Sequence, residues 1–166
     1  MAASVTEARR LIRNATRLGE CHPWFRDRLE RVMSGLESRG YRPRIQDAWR
    51  SPERQKELLD EGFTKVRWGF HNATKANGAP DSLAADVLDD DFPLNPRRAF
   101  LLALAQFADE VDLDTGIAWG LPPAIAQMLN EAIADGASWK GKLGWDPCHV
   151  EVADLTIADA RRGKRP

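Results

Sequence analysis

Residues 82–89, Ser82-Leu83-Ala84-Ala85-Asp86-Val87-Leu88-Asp89, alternate with apolar side chains on both sides: Leu83, Ala85 and Val87 on one face, Ala84 and Leu88 beside Asp86 on the other. A strand that is apolar on both faces belongs in the middle of a sheet, covered above and below. Asp86 is the ionisable residue in the middle of that pattern, with Asp89 at its end, and an ionised carboxylate is rarely buried without a partner. An arginine and a metal ion satisfy it equally well, so residues 82–89 alone leave both open.

Upstream, residues 64–82 show no period and contain Gly69, Gly78 and Pro80, which predicts a long loop carrying His71. Loops of that length in a compact domain are functional or disordered. Before it, Ser51-Pro52-Glu53 starts a helix with a hydroxyl cap, a first-turn proline and an acid at the positive end of the dipole, and Gly62 stops it. Residues 41–49 read as a strand. Two helices precede it: Thr6 to Leu18, with Ala8, Leu11, Ile12, Ala15 and Leu18 as its apolar stripe, and Pro23 to Ser38, with Phe25, Leu29, Val32, Met33 and Leu36 facing inward.

Downstream, Asn95-Pro96 repeats the cap-plus-proline signal ahead of an apolar helix through Phe100, Leu101, Leu104 and Phe107. A short strand over 111–119, a helix over 122–135 and a last strand over 147–152 follow. The basic ARRGKRP tail is expected to fray. The expected fold is α+β, a small, mainly antiparallel sheet packed with helices, in one domain spanning 1–166. Helices 5–38 precede its core.

The 166 residues suit one well-buried domain. With 24 basic against 25 acidic residues, the chain has no general attraction for nucleic acid. It shows neither a secretory leader nor a stretch long and apolar enough to span a membrane, so it is expected to be made in the cytoplasm, where Cys21 and Cys148 stay reduced.

In the last strand His149 and Glu151 project to one face, where His149 can meet Asp86 on a neighbouring strand. His71, taken singly, reads as an ordinary loop histidine. Together, His71, Asp86 and His149 are a three-ligand set that leaves a fourth tetrahedral position for water, the arrangement of a catalytic zinc. Asp146 is the nearest base by sequence, or a turn residue in Gly-Trp-Asp-Pro. Cys148 beside His149 makes a poor nucleophile pair, since strand neighbours point to opposite faces. Trp68, Trp119, Trp139 and Trp145 are expected in the core or along a cleft wall.

Three blocks, in order, carry a resemblance over residues 41–152: Asp47-Ala48-Trp49-Arg50-Ser51-Pro52-Glu53-Arg54-Gln55, the stretch from His71 to Asp86, and Asp146-Pro147-Cys148-His149-Val150-Glu151. The chain resembles the zinc D-Ala-D-Ala carboxypeptidases and L-alanyl-D-glutamate endopeptidases of bacterial cell-wall metabolism, a group with a hedgehog/DD-peptidase-like fold that includes vancomycin-resistance dipeptidases and phage endolysins.

The resemblance implies that His71, Asp86 and His149 hold Zn2+, that Asp146 is the catalytic acid/base and that Arg50 steadies the oxyanion; Gln55 either supports the site or faces solvent. It implies a monomeric enzyme acting on a peptidoglycan stem peptide, foremost an L-Ala-D-Glu endopeptidase of phage endolysin type that reaches the wall after release. The alternatives are a D-Ala-D-Ala carboxypeptidase or dipeptidase, and a non-catalytic wall-binding module. His and Asp stand closer together in the commoner form of the second block. The extra ATKANGAP segment is expected to lengthen the loop over the cleft and to alter which peptides fit.

Overall fold

The computed structural model describes residues 2–166, with side chains from Thr6 onward, so the expected 1–166 span exceeds it by Met1. Helices α1 (Ala2–Gly19) and α2 (Pro23–Ser38) lead into β1 (Pro43–Asp47) and α3 (Pro52–Asp60). A short 3-10 turn at Phe70–Asn72 precedes β2 (Ala84–Asp89), α4 (Arg98–Asp109), β3 (Leu113–Gly116), α5 (Pro123–Ala134), β4 (Asp146–Val152) and α6 (Ile157–Arg161). The strands form one antiparallel sheet in the order β1-β2-β4-β3, so the strand with two apolar faces is internal and the fold class is α+β.

One face of the sheet carries Ile45, Val87, Val150 and Val152 into the core. Phe25, Leu29, Val32 and Leu36 of α2 and Phe100 and Leu104 of α4 meet them there, all essentially without exposed surface. The α2 stripe is the one its period predicts. The α1 stripe is not. Leu11 and Ile12 are exposed, while Arg10 and Asn14 are buried.

The reason is that α1 lies along β1, an edge strand whose outward backbone groups need partners. Arg10 Nη1 and Asn14 Nδ2 donate to the Pro43 carbonyl at 2.7 and 3.0 Å, and Asn14 Oδ1 accepts from Ile45 N–H at 2.8 Å. Arg13 adds a bond from Nε to the Ile45 carbonyl at 3.2 Å. Helix α4 also starts later than Asn95-Pro96 suggests. Those two residues stay in the preceding turn, and Arg97 is the cap.

The expected frayed tail is instead ordered against the loop after His71. Helix α6 is capped by Thr156, whose side chain accepts from Asp159 N–H. Arg165 then pairs through Nε with buried Asp81 at 2.8 Å, and its Nη2 donates to the Thr74 carbonyl at 2.7 Å. A chain of basic composition stays put when a guanidinium finds a buried carboxylate and free carbonyls together. No described helix is long and apolar enough to cross a membrane.

Because Asp81 is nearly inaccessible, removing its cation should be costly. Arg165→Ala is expected to lower the unfolding free energy in urea by about 3 kcal/mol, as breaking a buried ion pair does. A loss below about 0.5 kcal/mol, the size of an ordinary surface change, would show that the tail is as loose as its composition implies.

Candidate metal centre

Antiparallel register brings the site together. Asp86 on β2 stands directly opposite His149 on β4, and both point away from the core face. In β1 a register shift between Ile45 and Asp47 puts Asp47, rather than Gln46, across from Asp86. Bulges re-aim side chains in this way. A second shift, where Gly116 pairs with Asp146 instead of continuing past Thr115, lets β4 leave β3 over Pro147 to His149. Gly116 is required there, since a Cβ would lie 2.1 Å from the Asp146 carbonyl oxygen.

His71 arrives from the 3-10 turn. That turn is tied to the β1–α3 connection by Arg50 N–H donating to the His71 carbonyl at 2.8 Å and by Asn72 Nδ2 donating to the Arg50 carbonyl at 2.9 Å. Around a common centre lie His71 Nε2, Asp86 Oδ1 and His149 Nδ1. The two nitrogens are 3.4 Å apart, and Asp86 Oδ1 is 3.4 Å from His71 and 3.1 Å from His149. A tetrahedral zinc with bonds of roughly 2.0–2.1 Å has ligand-to-ligand edges of about 3.3–3.4 Å, so these donors fit it.

The opposite atoms of each donor are also held. His71 Nδ1 donates to the Ala48 carbonyl at 2.5 Å, and His149 Nε2 donates to Glu151 Oε2 at 2.7 Å. Each imidazole thereby turns its other nitrogen to the centre, and a cation bound there would take the place of the proton on it. Ser82 Oγ donates to the same Ala48 carbonyl at 3.1 Å. Asp86 Oδ2 accepts from Arg50 Nη2, while Arg50 Nε holds Asp47, so Oδ1 is left for the centre.

The field favours positive charge. Burial alone would lower the His149 imidazole, but hydrogen bonds to Asp86 and Glu151 reverse that and push it up to about 10. Burial would raise the Asp86 carboxyl, and the two histidines outweigh it, holding it well below the usual carboxylate range. Asp146 goes the other way: burial, and then the negative Asp86, raise it.

The centre lies in a cleft of about 350 Å³, lined also by Arg50, Gln55, Val66, Trp119, Trp145 and Asp146. Gln55 is buried, and its Nε2 donates to the Val66 carbonyl at 2.8 Å. Residues 73–81 do not line the cleft. They close on themselves through the Thr74–Pro80 bridge and lie under Arg165, so the extra segment does not extend the loop over the cleft as expected. Trp119 and Trp145 are on the wall, while Trp68 and Trp139 pack against the core.

Cys148 packs against the core and Cys21 is buried, and burial pushes both thiols up to about 12, far from a nucleophile's range. Sequence reasoning placed Glu151 on the right face without giving it a role, and it passed over Asn72 and Ser82. The alternation of His149 with Glu151 was a usable signal for Glu151; Asn72 and Ser82 act through carbonyls that only the fold brings near.

The arrangement defines a buried His–Asp–His cluster at the floor of an open cleft, with a carboxylate and a guanidinium beside it. No family model matches the chain, and no curated protein matches it. Among solved structures it is similar to the Serratia marcescens L-Ala D-Glu endopeptidase ChiX, at 18% identity and a TM-score of 0.46 over 85% of this chain and 86% of that one. It is also similar to a mutant of the vancomycin-resistance D,D-pentapeptidase VanY from a VanB-type cassette, in complex with Zn(II), at 16% identity and a TM-score of 0.47 over 86% and 76%.

If the cluster is a metal site, the purified protein should take up one zinc, and His149→Ala should lose it in a competition titration with a chromogenic chelator. Glu151→Ala should bind about 10–100-fold more weakly, the usual effect of removing a carboxylate behind a ligating histidine. Unchanged affinity there would remove Glu151 from the site. Cys21 should resist iodoacetamide at neutral pH until the protein is unfolded in urea, as followed by intact mass, and half-buried Cys148 should label slowly; rapid labelling of Cys21 in the folded protein would contradict its burial.

Proposed function

We propose that the protein is a zinc-dependent peptidase that cuts the stem peptide of peptidoglycan, at the L-Ala-D-Glu bond and in the manner of an endolysin. The observation that carries the metal part is the set of separations among His71 Nε2, Asp86 Oδ1 and His149 Nδ1, with the far nitrogen of each imidazole already engaged. The choice of substrate rests on the resemblance carried by the three sequence blocks.

His71, Asp86 and His149 would hold the ion. Bound there, zinc supplies Lewis acidity, making a water nucleophilic near neutral pH and polarising a carbonyl. Asp146 takes the proton of the attacking water on a carboxylate oxygen and passes it to the leaving amine. Its raised pKa suits a group that must both accept and release a proton. Arg50 has two tasks. Through Nε and Nη2 it fixes Asp47 and Asp86, and its remaining Nη1 donates to the carbonyl oxygen of the scissile bond as that oxygen becomes anionic. Gln55 supports the cleft from behind, its Nε2 tying the Val66 carbonyl to α3.

Purified peptidoglycan treated with the zinc-loaded protein should yield new free amines on D-Glu, identified by mass spectrometry; release of D-Ala would place the cut at the other end of the peptide. Asp146→Asn should keep its zinc and lose about 10²–10⁴-fold in kcat, the range for a missing acid/base. A zinc-loaded protein that releases neither product would overturn the peptidase reading.

A further inference from the structure

Phe63 and Trp145 are 74% and 65% exposed, Val66 and Ile157 are exposed to a lesser degree, and all four line the cleft that holds the His–Asp–His cluster. They come from three separate parts of the chain: the segment after α3, the turn before β4, and the first residue of α6. Convergence of open apolar side chains from distant segments on one concave site is the mark of a ligand surface, whereas single exposed apolar residues are ordinary.

Trp145 is held there by the backbone rather than by burial. Trp145 N–H donates to the Trp119 carbonyl at 3.2 Å, and Gly144 N–H to the Ile117 carbonyl at 2.6 Å. Gly144 permits this approach, because a Cβ would stand 2.5 Å from Trp119 N. The Trp145 ring lies 5.2 Å from Trp119, which lies 5.0 Å from His149, so apolar surface starts directly beside a donor of the cluster.

We infer that Phe63, Val66, Trp145 and Ile157 form an apolar collar that holds apolar side groups of the peptide next to the bond being cut, an inference that rests on the peptidase reading above. The cleft volume of about 350 Å³ is near the lower end of the roughly 300–1,000 Å³ typical of ligand sites, with room for a short stretch of peptide. These four residues determine specificity and take no part in proton transfer.

The test uses zinc-loaded Asp146→Asn protein, in which cutting is slowed enough for binding to be measured, and synthetic stem-peptide fragments that carry alanine or glycine beside the scissile bond. With the collar intact, glycine should bind about fourfold more weakly than alanine, the worth of one buried methyl group. Adding Phe63→Ala, or Trp145→Ala, should weaken the alanine peptide and shrink the difference to below about twofold. Phe63 is so exposed that its removal leaves the core untouched, and Leu94→Ala, at a fully exposed position outside the cleft, should change nothing. In the otherwise unmodified enzyme, Phe63→Ala should raise KM more than it lowers kcat, as loss of binding common to ground and transition states does. A fourfold preference that survives both substitutions would overturn the collar while leaving the peptidase standing. Failure of the zinc-loaded parent to digest peptidoglycan would overturn both.

Discussion

The carboxylate of Asp86 on the central strand is the constraint around which the rest of the molecule is arranged. Placed between β1 and β4, it has to be compensated from both sides and from the loop beneath. Arg50 meets one oxygen, and His71 and His149 meet the other. Each partner is then held by something further out: Arg50 by Asp47, His71 by Ala48, His149 by Glu151. A polar network this connected is favourable only when every member is satisfied. That requirement explains the two register shifts, the glycine at position 116 and the knitting of the 70–72 turn to the start of α3.

Much of this could be read in advance because it depends on local rules. The two-faced apolar strand over 82–89, the α2 stripe from Phe25 to Leu36, and the Ser51-Pro52-Glu53 helix start follow from period and capping alone. The pairing of Asp86 with His149 was legible from strand alternation once both segments were taken as strands. Either of two partners, arginine or a metal site, was expected for Asp86. The structure gives it the arginine and the histidines together, one on each oxygen.

What could not be read depended on neighbours. Helix α1 has a plausible apolar stripe, yet the surface it meets is a row of backbone groups, so Arg10 and Asn14 turn inward and Leu11 and Ile12 are left out. The basic tail looked loose because the carboxylate that fixes it, Asp81, is far away in sequence. The extra segment after His71 looked like a cover for the cleft, but the same arginine draws it toward the tail. Gln55 gave no sign of whether it would be buried, since its partner, the Val66 carbonyl, belongs to an irregular loop.

The use of α1 side chains along β1 has a consequence for how copies of this chain meet. An open strand edge is a template for pairing with any other extended segment, including its own duplicate. Arg10, Arg13 and Asn14 occupy those backbone groups with side chains that cannot propagate a ladder, so the sheet is sealed on that side without a fifth strand. The opposite edge, β3, is only four residues long and ends at a glycine. Folded copies therefore have little open edge with which to pair strand to strand, and the three polar residues of α1 cover the sheet edge as well as support the fold.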